Sequence, residues 1–344
     1  MKRKRQMSFI VVLIPVLLMA GAGPHIAGGG GGSGAPSTVA SGTLSWGIER
    51  IQAPQAWTRT TGSQSVVVAV IDSGIDTSAP QLSGKLWTNP GEIPGNGIDD
   101  DHNGYVDDVH GWDFRDNDNS SLTGSKICWH GTFVAGIIAA QPGTDRAAGV
   151  APGIRLMDLR ILDSKNLFYS SDWGKFTAAV DYAVDNGANL INLSIYANGK
   201  PPLAFQQALE NAVRHGVIVV GIAGNNGASE VSYPGRFPSV LAVSATDQNN
   251  QLASFSNHGP QVAVAAPGEK VTSLFPGGIA GTGSGTSFAA PHVTGTLALI
   301  LSSHSGISAS RAIALLEETT TSVGSANRFG AGLIDAAGAV NGQR

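Results

Sequence analysis

The sequence predicts an α/β fold, a mostly parallel sheet with helices on both faces. Two observations carry the prediction. Short β-branched apolar runs recur along the chain, and stretches of helical periodicity separate them. After residue 45 no low-complexity segment or repeat interrupts this alternation, so residues 45–344 are expected to form one domain.

Val66–Ile71 reads as the first buried strand, short and almost wholly β-branched. Leu190–Leu193, Val217–Val220 and Val240–Val243 read the same way. Helices are expected over 131–141, 172–186 and 203–215. The last carries Phe205, Leu209, Ala212 and Val213 on one stripe, and Gly187 and Gly216 follow the second and third helices where a glycine commonly ends a helix. In such sheets ligands bind beyond the carboxyl ends of the strands, so polar residues there draw attention.

Composition narrows the function. The 344 residues carry 21 Lys+Arg against 25 Asp+Glu, a net charge of −4, with 42% hydrophobic residues. That excludes a disordered chain and disfavours a charge-driven nucleic-acid binder. The 46 glycines have no three-residue period, which excludes collagen. The single Cys closes no intrachain disulfide. Four basic residues (Lys2–Arg5), an apolar run over 9–20 containing Pro15, and then Gly21-Ala22-Gly23 describe a secretory signal over 1–22. The run is short for a spanning helix, so a membrane partner is expected only if the signal stays uncleaved. A Gly/Ser-rich linker is expected over 23–44. The mature chain is expected to be secreted and monomeric.

Three local patterns hold chemistry. Asp72 ends the first strand in Asp-Ser-Gly-Ile-Asp; His130 opens a helix in His-Gly-Thr-Phe-Val-Ala-Gly; Ser287 lies in Gly-Thr-Ser-Phe-Ala-Ala-Pro-His. Each alone also reads as local structure: a turn residue, an incidental His on a packing helix, an N-cap serine. Together they are an Asp–His–Ser set, each at a strand or helix end. This set resembles the subtilase family of serine proteases, over about residues 45–340. The resemblance implies a subtilisin-like three-layer fold and a secreted endopeptidase acting on protein or peptide substrates. Asp72, His130 and Ser287 would form the triad, and Asn225 of Ala223-Gly224-Asn225 would join the Ser287 N–H as an oxyanion donor. The nucleophile pattern of the α/β-hydrolases is absent around Ser287, where the residue two positions on is Ala289. Sedolisins carry Glu where this chain has His130.

Several positions depart from the family. Ser194-Ile195-Tyr196 stands where subtilases hold substrate with Ser-Leu-Gly, so Tyr196 replaces a Gly and is expected to narrow the pocket for the residue before the scissile bond. A cleft closed by Tyr196 would instead make the domain an inactive binding module, and an esterase is a further alternative. Phe288 replaces the usual Met and lowers the oxidation liability beside the nucleophile; Phe133 replaces a frequent His, with packing as the expected consequence. Cys128 reads as a buried filler or as a thiol near the site. Exported subtilases usually carry a folding prosegment; none is visible before Ser45, which leaves unaided folding, a separate helper chain or an atypical gene start.

Eight Asp residues fall in 99–118, offset within that stretch only by Arg115. Asp99, Asp101, Asn103, Gly104, Tyr105 and Asp107 match the first nine positions of an EF-hand calcium loop, but His110 takes the place of the twelfth-position Glu, for which Asp108 is a candidate substitute. A structural Ca²⁺ held by Asp99, Asp101, Asn103, Tyr105 and Asp107 is expected, against the alternative of a solvated acidic loop. The resemblance agrees, since subtilases often bind stabilising calcium. No organic cofactor is expected.

Overall fold

Seven parallel strands form one sheet in the order β2-β3-β1-β4-β5-β6-β7 in the computed structural model, which describes residues 44–120, 129–143, 147–197 and 199–342. The segment 1–43, assigned to the signal and most of the linker, and Cys128 lie outside the described residues. The strands are β1 (Val67–Asp72), β2 (Gly111–Asp113), β3 (Arg155–Arg160), β4 (Leu190–Leu193), β5 (Ile218–Ile222), β6 (Leu241–Thr246) and β7 (Val262–Pro267). Two short helices, α1 (Trp46–Arg50) and α2 (Ala53–Ala56), precede the sheet. The main helices are α3 (Trp129–Ala139), α4 (Trp173–Asp185), α5 (Leu203–Arg214) and α6 (Thr286–Ser303). A hairpin of β8 (Val271–Phe275) and β9 (Ile279–Gly283) leads into α6.

The four expected strands and three expected helices are all present. The sheet also holds β2, β3 and β7. β3 reads Arg-Leu-Met-Asp-Leu-Arg, too charged for a buried strand by composition. It is buried because Arg160 at its end is neutralised by Asp113 at the end of the neighbouring β2, residues that stand in register. The stripe on α5 shifts by one position: Phe205, Ala208, Leu209 and Ala212 are buried, while Val213 is 46% exposed. Positions i, i+3, i+4 and i+7 face the sheet more squarely than i+8 does. Burial of Phe205 and Leu209 contributes roughly 1.5–3 kcal/mol each. Gly187 and Gly216 adopt φ of +72° and +82° just past α4 and α5.

The order of the strands fixes where a ligand can sit. From β1 the chain passes to β2 at the sheet edge and returns through α3 to β3, all on one side of β1. From β4 it moves through α5 to β5 on the other. α3 packs against α6, while α5 packs against α4, so α3 and α5 belong to different helix pairs. The gap they leave lies beyond the carboxyl ends of adjacent β1 and β4.

Candidate active site

Asp72 is the last residue of β1 and Ser194 directly follows β4, so both stand at that gap. Asp72 is fully buried and held from two sides. Its carbonyl accepts from Ile161 N (2.8 Å) and Leu162 N (3.1 Å), and its Oδ1 accepts from Ser73 N (2.7 Å). Both carboxylate oxygens meet Nδ1 of His130, at 2.8 and 3.0 Å.

His130 is the second residue of α3 and has no solvent exposure. The start of α3 is locked onto the turn after β1. Gly131 N donates to Ser73 Oγ (2.8 Å), and Asp76 N donates to Thr132 Oγ1 (2.8 Å). Gly131 is required for this approach, because a Cβ there would lie 2.4 Å from the Gly74 carbonyl oxygen. The imidazole sits among aromatic rings. Trp129 lies edge-on with centroids 5.4 Å apart, and Phe288 lies at 5.6 Å. Phe133, fully buried, packs on Phe288 at 4.5 Å and on Phe275 at 5.3 Å. His130 Nε2 has no hydrogen-bond partner among the described residues.

Ser287 is the second residue of α6, and the N-cap is Gly285 rather than the serine itself. Its Oγ donates to the Ser194 carbonyl (3.1 Å), while Ser194 Oγ donates to the Ser287 carbonyl (2.8 Å). The pair ties α6 to the end of β4. Asn192 extends the tie: its Nδ2 donates to Ser194 Oγ (2.9 Å), and its Oδ1 accepts from Thr294 Oγ1 of α6 (2.8 Å). Asn192 and Thr294 were not among the expected site residues. An Asn inside the otherwise apolar Leu190–Leu193 run is the signal that could have found the first.

Asn225 follows β5 by way of Ala223 and Gly224, both buried. Its Oδ1 accepts from Thr286 N and Thr286 Oγ1, each at 2.7 Å. This fixes which end of the amide faces α6 and leaves Nδ2 turned away from that anchor. The turn around it is wound on Asn257, 1% exposed. Asn257 Oδ1 accepts from Asn226 N (3.1 Å) and Ala228 N (3.0 Å), and Asn257 N donates to the Gly224 carbonyl (2.9 Å). Ile195 and Tyr196 continue from Ser194 and are both buried, and burial raises the Tyr196 hydroxyl above its ordinary pKa. The other box histidine, His292, is different in kind. Burial pushes it down to about 4, against a hydrogen bond between its Nδ1 and the Phe288 carbonyl, so its ring is neutral at neutral pH.

The acidic segment forms a separate lobe. Asp99 Oδ1 and Oδ2 accept from Asn103 N (3.1 Å) and Gly104 N (2.9 Å). Asp101 accepts from Asn103 N and Nδ2, both at 3.1 Å. The Tyr105 ring packs on Trp112, Phe114 and Tyr182. Asp107 turns to another loop, accepting from the N–H groups of Gly95, Asn96 and Gly97. Asp108 is fully buried and accepts from Tyr182 OH (2.5 Å), Asn89 Nδ2 (2.8 Å) and Asn103 Nδ2 (2.9 Å). Arg115 pairs with Asp172 instead of the lobe's own acids. Asp113 and Asp116 are neutralised from outside by Arg160. Burial raises the Asp113 carboxyl, opposed by hydrogen bonds from Asp116 N–H and Arg160. Among the described residues no helix is long and apolar enough to cross a membrane.

Residues 63–332 match the sequence model of the subtilase family. The chain is 35% identical to Subtilisin Savinase of Lederbergia lenta, over 86% of this chain and 97% of that protein. It is 36% identical to Thermitase of Thermoactinomyces vulgaris, over 81% of this chain and 88% of that one. It is also 36% identical to Subtilisin E of Bacillus subtilis (strain 168), over 85% and 70% respectively.

Proposed function

This chain belongs to the subtilase family, and from that membership we propose that it is an exported serine endopeptidase with Asp72, His130 and Ser287 as its catalytic triad. The observation that carries the assignment is the buried Asp72–His130 pair, whose outer ring nitrogen Nε2 has no partner among the described residues. A buried polar atom without a partner is costly unless another state of the protein uses it.

The mechanism follows from these contacts. Ser287 Oγ leaves the Ser194 carbonyl and turns to His130 Nε2; apo-state catalytic hydrogen bonds are commonly loose and tighten with substrate. As Oγ attacks the peptide carbonyl carbon, its proton passes to Nε2. Asp72 stabilises the imidazolium and holds its tautomer without taking that proton. The carbonyl oxygen becomes an oxyanion and accepts from Asn225 Nδ2 and the Ser287 N–H at the start of α6. Collapse breaks the C–N bond, and the leaving amine takes the proton from His130. Water, deprotonated by the same ring, then hydrolyses the Ser287 ester. Ser194, Ile195 and Tyr196 on one side and Ala223 and Gly224 on the other hold the substrate backbone.

A fluorophosphonate probe tests the assignment. It is expected to label the folded protein once, on Ser287. Folded protein that stays unlabelled is a binding module instead, and hydrolysis of esters without peptides makes it an esterase. Tyr196 sets a second expectation. Its ring limits the pocket before the scissile bond, so small or slender side chains are preferred there, and Tyr196→Gly shifts cleavage of a peptide library toward large ones. An unchanged library profile removes that role from Tyr196.

A further inference from the structure

The acidic lobe holds one carboxylate that neither the catalytic reading nor the EF-hand pattern uses. Glu92 lies seven residues before Asp99 and is 7% exposed. Its Oε1 accepts from Asp100 N (2.9 Å) and Asp101 N (3.4 Å). Its Oε2 is buried and has no partner among the described residues. A buried carboxylate oxygen without a donor is unfavourable, and like charges beside it make it more so. Here the neighbours are like charges: Glu92, Asp99 and Asp101 each bring a carboxylate oxygen within 4.8 Å of the others.

We propose that Glu92, Asp99 and Asp101 together bind one calcium ion. The separations suit a single ion. Oxygens on opposite sides of a Ca²⁺ lie about 4.6–5.2 Å apart, and those on adjacent positions lie closer. All three donors are hard oxygens, which select calcium or magnesium over softer metals. Calcium is the better fit, since it accepts irregular shells of carboxylate and carbonyl oxygens where magnesium demands a near-ideal octahedron. The loop is shaped for this convergence: a Cβ on Gly91 would lie 2.6 Å from Asp101 Cβ, so a glycine beside Glu92 lets Asp101 come this close to residue 91.

This site is not the EF-hand that the spacing suggests. Asp107, the ninth-position residue, is turned to the N–H groups of 95–97 and is not one of the three carboxylates that converge. Asp108, the candidate twelfth-position substitute, is fully buried against Tyr182 of α4 and likewise is not one of the three. Glu92 takes over from outside the motif, on its N-terminal side. The ion would join residue 92 to residues 99–101 and close the lobe that carries Asp108 into the core beside α4. The proposal is independent of the catalytic reading.

The test uses full-length protein with Ser287→Ala, so that self-digestion does not enter the readout. After chelation, calcium is added back while melting temperature and calorimetric stoichiometry are followed. The expected result is a rise of several degrees that magnesium does not reproduce. Glu92→Gln and, separately, Asp99→Asn are expected to weaken calcium binding at least tenfold and to remove one bound equivalent. Asp107→Asn is expected to keep that equivalent. A melting temperature indifferent to calcium overturns the proposal, as does an unchanged stoichiometry in both Glu92→Gln and Asp99→Asn. Loss of the equivalent in Asp107→Asn overturns it in favour of the EF-hand order, and preference for magnesium overturns the choice of ion.

Discussion

Asp72→Asn is expected to lower kcat by roughly 10⁴-fold, about 5 kcal/mol of transition-state stabilisation, with little change in KM. The geometry gives the reason. Asp72 Oδ1 already accepts from Ser73 N. An asparagine would keep its carbonyl oxygen on that donor and turn its NH₂ group toward His130 Nδ1. The ring would then accept at Nδ1 and carry its proton on Nε2, the atom that must receive the proton of Ser287. Shape and burial would be almost unchanged, so melting temperature should move little while turnover collapses. Steady-state kinetics on a peptide substrate, with a parallel melting curve, decides it. A variant retaining more than a tenth of the wild-type kcat would mean that the carboxylate does not set the tautomer.

Asn225→Ala is expected to reduce kcat by roughly 10²–10³-fold, about 3–4 kcal/mol, with KM within a few-fold of wild type. The donor is useful only where charge develops, so its loss is felt in the transition state more than in the bound substrate. The alanine also removes the acceptor for Thr286 N and Oγ1. Asn225→Asp separates the two effects. It keeps the acceptor toward Thr286 and replaces the outward donor by an acceptor, so kcat should stay low while the start of α6 remains anchored. Near wild-type turnover in Asn225→Asp would remove Asn225 from the oxyanion site.

The legible part of the molecule is the part encoded over short stretches. Val66–Ile71 is recognisable because β-branched residues have few other homes, and the three boxes stand out because a polar residue is framed by glycine and other small residues at an element end. Family membership then followed from three such boxes in order. What escaped reading acts over long separations. Asn192 meets Thr294 across 102 residues, and Arg160 meets Asp113 across 47. Neither residue of such a pair carries a local pattern naming the other. β3 was missed for the same reason: its charge looks unburiable until its partner strand is placed beside it. Glu92 escaped because the EF-hand template begins at Asp99 and gives no reason to look upstream.

The two margins of the sheet share a property that bears on association. At the β2 margin the chain folds back, so that Asp113 N donates to the Asp118 carbonyl (2.9 Å) and the Asp113 carbonyl accepts from Asn117 N (2.7 Å). At the β7 margin the segment 330–334 supplies the missing partners: Ala265 N donates to the Gly332 carbonyl (2.8 Å), and Ile334 N to the Ala265 carbonyl (3.1 Å). An open margin is a template on which any extended chain can add as a further strand. A domain whose proposed substrates are themselves extended chains would gather them along such a margin, out of reach of Ser287. With both margins occupied by its own backbone, strand addition is blocked there, and with it a common route to aggregation.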